Sequence, residues 1–357
     1  MSNPLEHQLT YPLADRLPAE GEALDVAPGI RWVRMPLPFA LDHINLWLLR
    51  DRFTADDGSV AEGWTIVDCG IGVERTRALW ERVFAAHLDG LPVRRILVTH
   101  MHPDHVGCAA WLAERWNAPV WMTATDFVMA SLLSRGGQGS GGDAAAAHFA
   151  RHGLTDADSI AKIKARTGYF PSLVPAMPHS YVRLLDGQNV MIDGEPWRVI
   201  VGYGHAPEHA SLYNAARKLL ISGDMLLPRI STNVSVWDNE PEADPLPLYL
   251  DSLRKYEPLA ADTLVLPSHG KPFTGMHARL AQQHAHHDER LATLLAACDK
   301  PLSAADAVAV LFRPGLDLHQ LTFAIGESLA HLHCLWRRGA LRRLHGDDGV
   351  FRFQAAS

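Results

Sequence analysis

The sequence predicts an α/β fold carrying a helical insertion and a mostly helical C-terminal extension. Short runs rich in branched or aromatic residues recur between positions 30 and 266, each bounded by turn formers. Helical periodicity alternates with them, as at 106–116, where Ala109, Leu112, Ala113 and Trp116 share one stripe. Beyond Pro272 the pattern is helical to about 338 and ends in two β-like runs.

Residues 1–25 are polar and acidic, with Pro4, Pro12 and Pro18, and read as an arm. Strands are expected at 30–35, 44–49 and 65–67. The run 96–98 is a buried-strand signal that leads into a group of histidines, and 120–122 is another strand. From about 124 to 178 the character changes. Phe127, Met129, Leu132 and Leu133 suggest one helix, 144–152 and 156–167 two more, and the glycine-rich 136–142 a hinge. This insertion is a candidate lid. Strands return at 190–192, 197–201, 211–214 and 219–221, followed by a helix at 247–256 and a strand at 263–266. The tail closes with runs 341–344 and 350–353 around the turn Gly346-Asp347-Asp348-Gly349. Helices followed by a hairpin suggest a small winged-helix-like unit. The expected division is an arm at 1–25, a catalytic unit at 26–274 and an extension at 275–357.

Composition narrows the function classes. Apolar residues make up 47% of 357, enough for a sizeable core. The net charge of −7 argues against a nucleic-acid binder, and the local cluster Arg337, Arg338, Arg342, Arg343 does not reverse that. Cys69, Cys108, Cys298 and Cys334 lie far apart without CxxC spacing, as reduced thiols of a cytoplasmic protein do. No apolar leader and no run of 18 apolar residues is found, so neither secretion nor a membrane span is expected.

The chemistry sits in seven residues at four places. His100, His102, Asp104 and His105 fall within six consecutive positions. His205 follows in Gly-Tyr-Gly-His, Asp224 in Ser-Gly-Asp and His269 in Pro-Ser-His-Gly. Five imidazoles and two carboxylates are donors that Zn²⁺ accepts. His100 and His102 are two apart after a strand and can grip one ion. Asp104 and His105 lie beyond the Pro103 bend, beside a second position, and the carboxylate of Asp224 can bridge the two. Two divalent ions are therefore expected, zinc first, with iron or manganese as alternatives.

This set resembles the metallo-β-lactamase superfamily, in its glyoxalase II-like branch, over roughly residues 29–272. The resemblance implies an αββα metallo-β-lactamase sandwich with its site at one sheet edge. It implies His100, His102 and His205 on the first metal, Asp104, His105 and His269 on the second, and Asp224 bridging. It makes Asp68, in Ile-Val-Asp-Cys-Gly, a support behind the ligands. His209 stands where the family has the second histidine of Gly-His-Thr-Pro-Gly-His, and is read as a support too. Glu208 replaces the second glycine of that pattern. Lactonases of the superfamily carry a tyrosine soon after the bridging aspartate, whereas Met225, Leu226 and Leu227 follow here.

The expected reaction is hydrolysis of a small acyl ester, thioester or lactone by a metal-bridging hydroxide, with Asp104 also orienting the nucleophile. Tyr169, Phe170, Met177 and His179 of the insertion, with Asn233 and Trp237 after Asp224, are candidate pocket residues for a small-molecule substrate. The alternatives are a phosphodiesterase or ribonuclease on the same scaffold and a mononuclear-iron oxidoreductase resembling persulfide dioxygenases. The arm and tail permit a homodimer. His277, His284, His286 and His287 crowd one helix and read as a solvated polar face.

Overall fold

The computed structural model describes residues 3–54, 58–136 and 141–356. Two sheets pack face to face. The first runs in chain order through β1 (Ala23–Ala27), β2 (Ile30–Pro36), β3 (His43–Thr54), β4 (Val60–Val67), β5 (Val93–Leu97), β6 (Val120–Met122) and β7 (Val182–Arg183). Its first four strands pair antiparallel, and β4 to β7 pair parallel. Parallel neighbours need crossovers. These are α1 (Glu74–His87), then α2 (Pro103–Val106) with α3 (Ala109–Trp116), then the insertion α4 (Ala124–Ser134), α5 (Gly142–Arg151), α6 (Ala157–Ala165) and α7 (Tyr169–Leu173). The second sheet contains β8 (Asn189–Ile192), β9 (Glu195–Gly202), β10 (His209–Asn214), β11 (Leu219–Gly223) and β12 (Leu264–Pro267), antiparallel except where α8 (Pro245–Arg254) joins β11 to β12.

Side chains alternate across each sheet, which builds three cores from one period. Trp47 and Leu49 of β3 meet Val199, Ile221 and Leu266 between the sheets, where the Trp32 and Trp47 rings stack 6.1 Å apart. Ile44, Leu46 and Leu48 face the other way, under Trp80 of α1 and Leu112 of α3. Leu220 and Val265 face outward from the second sheet. They lie under Tyr249 and Leu253 of α8 and under Ile325 and Leu329 of the C-terminal helices. The layers are therefore helix, sheet, sheet, helix, as expected.

The C-terminal region follows as α9 (Met276–Ala297), α10 (Ala304–Leu311), α11 (Leu318–Arg337) and the hairpin β13 (Leu341–His345) and β14 (Phe351–Ala355). Ser303 with Asp306, and Asp317 with Gln320, close capping boxes that start α10 and α11. No helix among the described residues is long and apolar enough to cross a membrane. All four cysteines are free and buried.

Four expectations are corrected. The arm is not irregular throughout, because β1 joins the first sheet and Thr10 bridges Thr274. Helix α1 was not anticipated. The helix at 106–116 is two helices broken at Gly107 and Cys108. A Cβ on Gly107 would lie 2.4 Å from the Gly72 nitrogen and 2.6 Å from the Leu173 carbonyl oxygen, so three backbones meet there. Gly72 N–H donates to that same carbonyl at 2.6 Å, docking the end of α7. Finally, the solvated face expected of the α9 histidines fails at His287, while His284 and His286 are half-buried. His277 is exposed, but Arg279, Gln282, Gln283, His287 and Arg290 are buried, with His287 Nδ1 3.0 Å from His331 Nε2. The glycine-rich run at 136–142 falls at positions 137–140 outside the described residues.

Candidate metal centre

Every candidate ligand lies just beyond the C-terminal end of a strand, on one edge of the two sheets. The 100–105 loop follows β5, His205 follows β9, Asp224 follows β11 and His269 follows β12. Glycines make two of these turns possible. Gly204 has φ +95, and a Cβ there would lie 2.5 Å from the Pro245 carbonyl oxygen. Gly223 has φ +52, and its Cβ would lie 2.2 Å from His209 Nε2.

The seven side chains form two donor sets. His100 Nε2 lies 2.9 Å from His102 Nδ1, His102 Nδ1 lies 3.1 Å from His205 Nε2, and His205 Nε2 lies 3.2 Å from His100 Nε2. A tetrahedral zinc with nitrogens at about 2.0–2.1 Å spaces them about 3.3 Å apart. Beside this triangle, His269 Nε2 lies 3.4 Å from Asp104 Oδ2 and 3.4 Å from Asp224 Oδ1. His105 Nε2 lies 3.6 Å from Asp104 Oδ2 and 3.5 Å from Asp224 Oδ1. The other Asp224 oxygen, Oδ2, reaches His205 Nε2 at 3.3 Å. One carboxylate thus touches both sets. His105 Nε2 and Asp224 Oδ1 are buried without a hydrogen-bond partner, as the donors of an ion site would be. The donor sets therefore fit divalent metal.

The surrounding hydrogen bonds set the tautomers. His205 Nδ1–H donates to the Asn233 carbonyl at 2.7 Å and His269 Nδ1–H to the His43 carbonyl at 2.7 Å, which turns Nε2 of each ring toward the donor sets. His105 Nδ1 donates to Asp68 Oδ2 at 2.8 Å, and Asp68 Oδ1 accepts the Thr99 N–H at 2.8 Å. His209 Nε2 accepts the Asp224 N–H at 3.0 Å, so that nitrogen is occupied behind the bridging residue. Asp126, which sequence reasoning missed, accepts from Met101 N–H at 2.8 Å and Glu208 N–H at 2.6 Å, tying two ligand loops together. Burial pushes its carboxyl up to about 7. Glu208, the departure from the family pattern, accepts the Thr125 N–H at the start of α4.

The electrostatics differ between the sets. Burial, and then neighbouring imidazoles, hold His100 well below its ordinary pKa, and His102 sits at about 3. In the mixed set burial opposes ionisation, but opposite charges outweigh it. Asp104 is held at about 2 beside His105 and His269, and His269 is raised to about 10 beside Asp224 and Asp104. The carboxylates recruit positive charge, which protonated imidazoles supply here and a divalent ion supplies in their place.

A cavity of about 790 Å³ opens above the site. Tyr169, Phe170, Asn233 and Trp237 line it, together with Phe39 and Phe323, which sequence reasoning missed. Met177 and His179 do not. Met177 packs against the outer core of the first sheet, and His179 is exposed where the chain runs on to β7. The C-terminal region contributes Arg290, Phe312, His319 and Phe323 to the wall.

Comparison with known proteins agrees with this geometry. Residues 57–269 match the metallo-beta-lactamase superfamily, and residues 291–356 match the metallo-beta-lactamase-like C-terminal domain. The probable metallo-hydrolase YqjP of Bacillus subtilis (strain 168) is 25% identical over 322 residues, covering 85% of this chain and 91% of its own. A beta-lactamase domain protein from Burkholderia ambifaria superposes with a TM-score of 0.92 at 57% identity, covering 99% of this chain and 100% of that one. A metallo-beta-lactamase family protein from Thermus thermophilus, TTHA1429, does so with 0.74 at 29% identity, covering 93% and 100%.

Proposed function

The chain belongs to the metallo-β-lactamase superfamily, and from that premise we propose a binuclear metal-dependent hydrolase of the glyoxalase II-like kind that cleaves a small acyl ester, thioester or lactone. One observation carries the binuclear reading: Asp224 places Oδ2 3.3 Å from His205 and Oδ1 3.4 Å from His269. A carboxylate bound on both sides is what a pair of ions needs. His100, His102 and His205 would hold the first ion, Asp104, His105 and His269 the second, and Asp224 both. Zinc is the first choice for this nitrogen-rich set. Ions held there supply Lewis acidity and lower the pKa of water.

The chain's own groups do the rest. Asp104, whose carboxyl His105 and His269 hold at about 2 against the effect of burial, is ionised at neutral pH and would accept a hydrogen bond from an attacking water, fixing its direction. Asp68 and His209 hold His105 and the Asp224 backbone in place. Phe39, Tyr169, Phe170, Trp237 and Phe323 offer an apolar wall to an acyl chain, with Asn233 as a polar anchor. The C-terminal region has the helix-and-hairpin order of a winged helix, and in this reading it closes the cavity and does not bind nucleic acid. Two of its arginines are already engaged, Arg337 and Arg343 lying 3.4 and 2.7 Å from Glu242.

The test is metal content by mass spectrometry alongside a panel of p-nitrophenyl esters, thioesters and lactones, with bis-p-nitrophenyl phosphate as the competing class. Two ions per chain and turnover on the acyl panel are expected. Turnover on the phosphodiester alone overturns the substrate class. One iron per chain with oxygen uptake overturns the reaction.

A further inference from the structure

Between β11 and α8 the chain runs through residues 225–236 without helix or strand, yet it is deeply buried: Leu226, Leu227, Val234 and Val236 are at most 2% exposed. Buried irregular backbone must find partners for its polar groups. Here the C-terminal helices provide them. Arg279 of α9 donates Nε–H to the Leu227 carbonyl at 2.6 Å and Nη2–H to the Ile230 carbonyl at 2.8 Å. Val236 N–H donates to the Gly326 carbonyl of α11 at 3.2 Å. The Asn233 amide donates to Glu327 Oε2 at 3.3 Å, and its own oxygen accepts from Ser235 Oγ at 2.8 Å. Glu327 is backed by Arg290 of α9, 3.6 Å away, and both are nine-tenths buried.

The other edge of the same strap touches the candidate ligands. The Asn233 carbonyl accepts from His205 Nδ1–H at 2.7 Å, and Thr232 Oγ1–H donates to the Asp224 carbonyl at 2.5 Å. A continuous contact path thus leads from Arg290 through Glu327 and Asn233 to the ring of His205. The fit at α11 is close, since a Cβ on Gly326 would lie 2.9 Å from the Ser235 side chain.

We propose that the C-terminal helices are part of the metal centre, with Glu327 as a positioning residue that aims His205 through the Asn233 strap. This rests on the reading of His205 as a metal ligand. A buried Glu–Arg pair is a poor source of stability, because both charges lose their hydration. Holding one carbonyl in place gives it a purpose. The imidazole it faces must keep its proton on Nδ1 and its lone pair on Nε2, and groups that orient a ligand in this way are worth about 10–100-fold in metal affinity.

The experiment uses the full chain loaded with cobalt or zinc, dialysed against chelators of graded strength, with ions per chain counted and the cobalt absorption bands recorded. Glu327→Leu should weaken the first ion by about tenfold or more and shift the cobalt bands, while the second ion changes by less than about twofold. Glu327→Gln, which can still accept from Asn233, should restore most of the affinity. Asn233→Ala removes only the amide, so unchanged ion binding by that variant overturns the proposal even if Glu327→Leu does not fold. A parent protein with two ions and a Glu327→Leu variant that matches it overturns the positioning role alone. A parent protein that holds no ion overturns the ligand reading with it.

Discussion

The two donor sets on either side of Asp224 balance charge in opposite ways. His100, His102 and His205 press three imidazole nitrogens to within 2.9–3.2 Å of one another. Asp104, His105 and His269 spread to 3.4–3.6 Å and mix carboxylate with imidazole. The mixed set can balance its charge with protons when no ion is bound, as the raised pKa values of His105 and His269 show. At His100 and His102 burial and the neighbouring rings disfavour the protonated form instead. On the proposed reading, an ion at the mixed set would have to displace protons, whereas His100 and His102 would present neutral rings to theirs.

The comparison breaks first at Asp224. Asp224→Ala removes the one group common to both sets and should cost both ions and about a thousandfold or more in turnover. A metal-free Asp224→Ala protein with full activity ends the binuclear reading. His102→Ala should instead lose one ion and keep the other, which metal counting resolves.

Next comes pH. A folded-state pKa raised above the ordinary value means the proton is held below that pKa and must leave before an ion binds. Ion affinity at the mixed set should therefore fall as pH drops from 8 to 6, by up to about tenfold per unit for each proton displaced. The affinity at His100 and His102 should stay level over the same range. Calorimetry with a chelator as competitor reads both, and parallel slopes would erase the distinction.

A smaller effect is expected behind the bridge. Gly223→Ala drives a methyl into His209 Nε2 and should cost about 3 kcal/mol of stability, read by denaturant unfolding with the metal removed. The smallest contrast lies in the pocket. Trp237→Ala should raise KM several-fold, whereas His179→Ala, off the cavity, should leave both constants within about twofold.

The candidate donors stood out because a run such as His100 to His105 has no packing use and because Asp224 and His269 each follow a strand, and the fold brings them to one sheet edge. The sandwich layers were implied by the resemblance carried by the histidine run, while short apolar runs such as 44–49 and 219–221 located individual strands. The supports were not legible. His205 and His269 are aimed by the carbonyls of Asn233 and His43, and a carbonyl leaves no trace in residue type. Helix α9 misleads for a related reason. Its histidines read as a solvated face, yet His287 is buried against His331, and Arg279 and Arg290 of the same helix face a strap and a carboxylate that only the fold brings near. Helix α1 is a different miss, since Leu79, Trp80, Val83 and Phe84 repeat at helical spacing and the signal was present.

The meeting of Gly72, Gly107 and Leu173 bears on how the cavity admits its substrate. The expectation of a lid treats the insertion as something that swings. At its α7 end it is tied by a main-chain hydrogen bond from Gly72, in the turn between β4 and α1, with Gly107 packed close beside the same carbonyl. Moving that end would break this bond and open the close packing against Gly107, so α7 is the anchored end of the insertion and any opening for a guest would begin at its other helices.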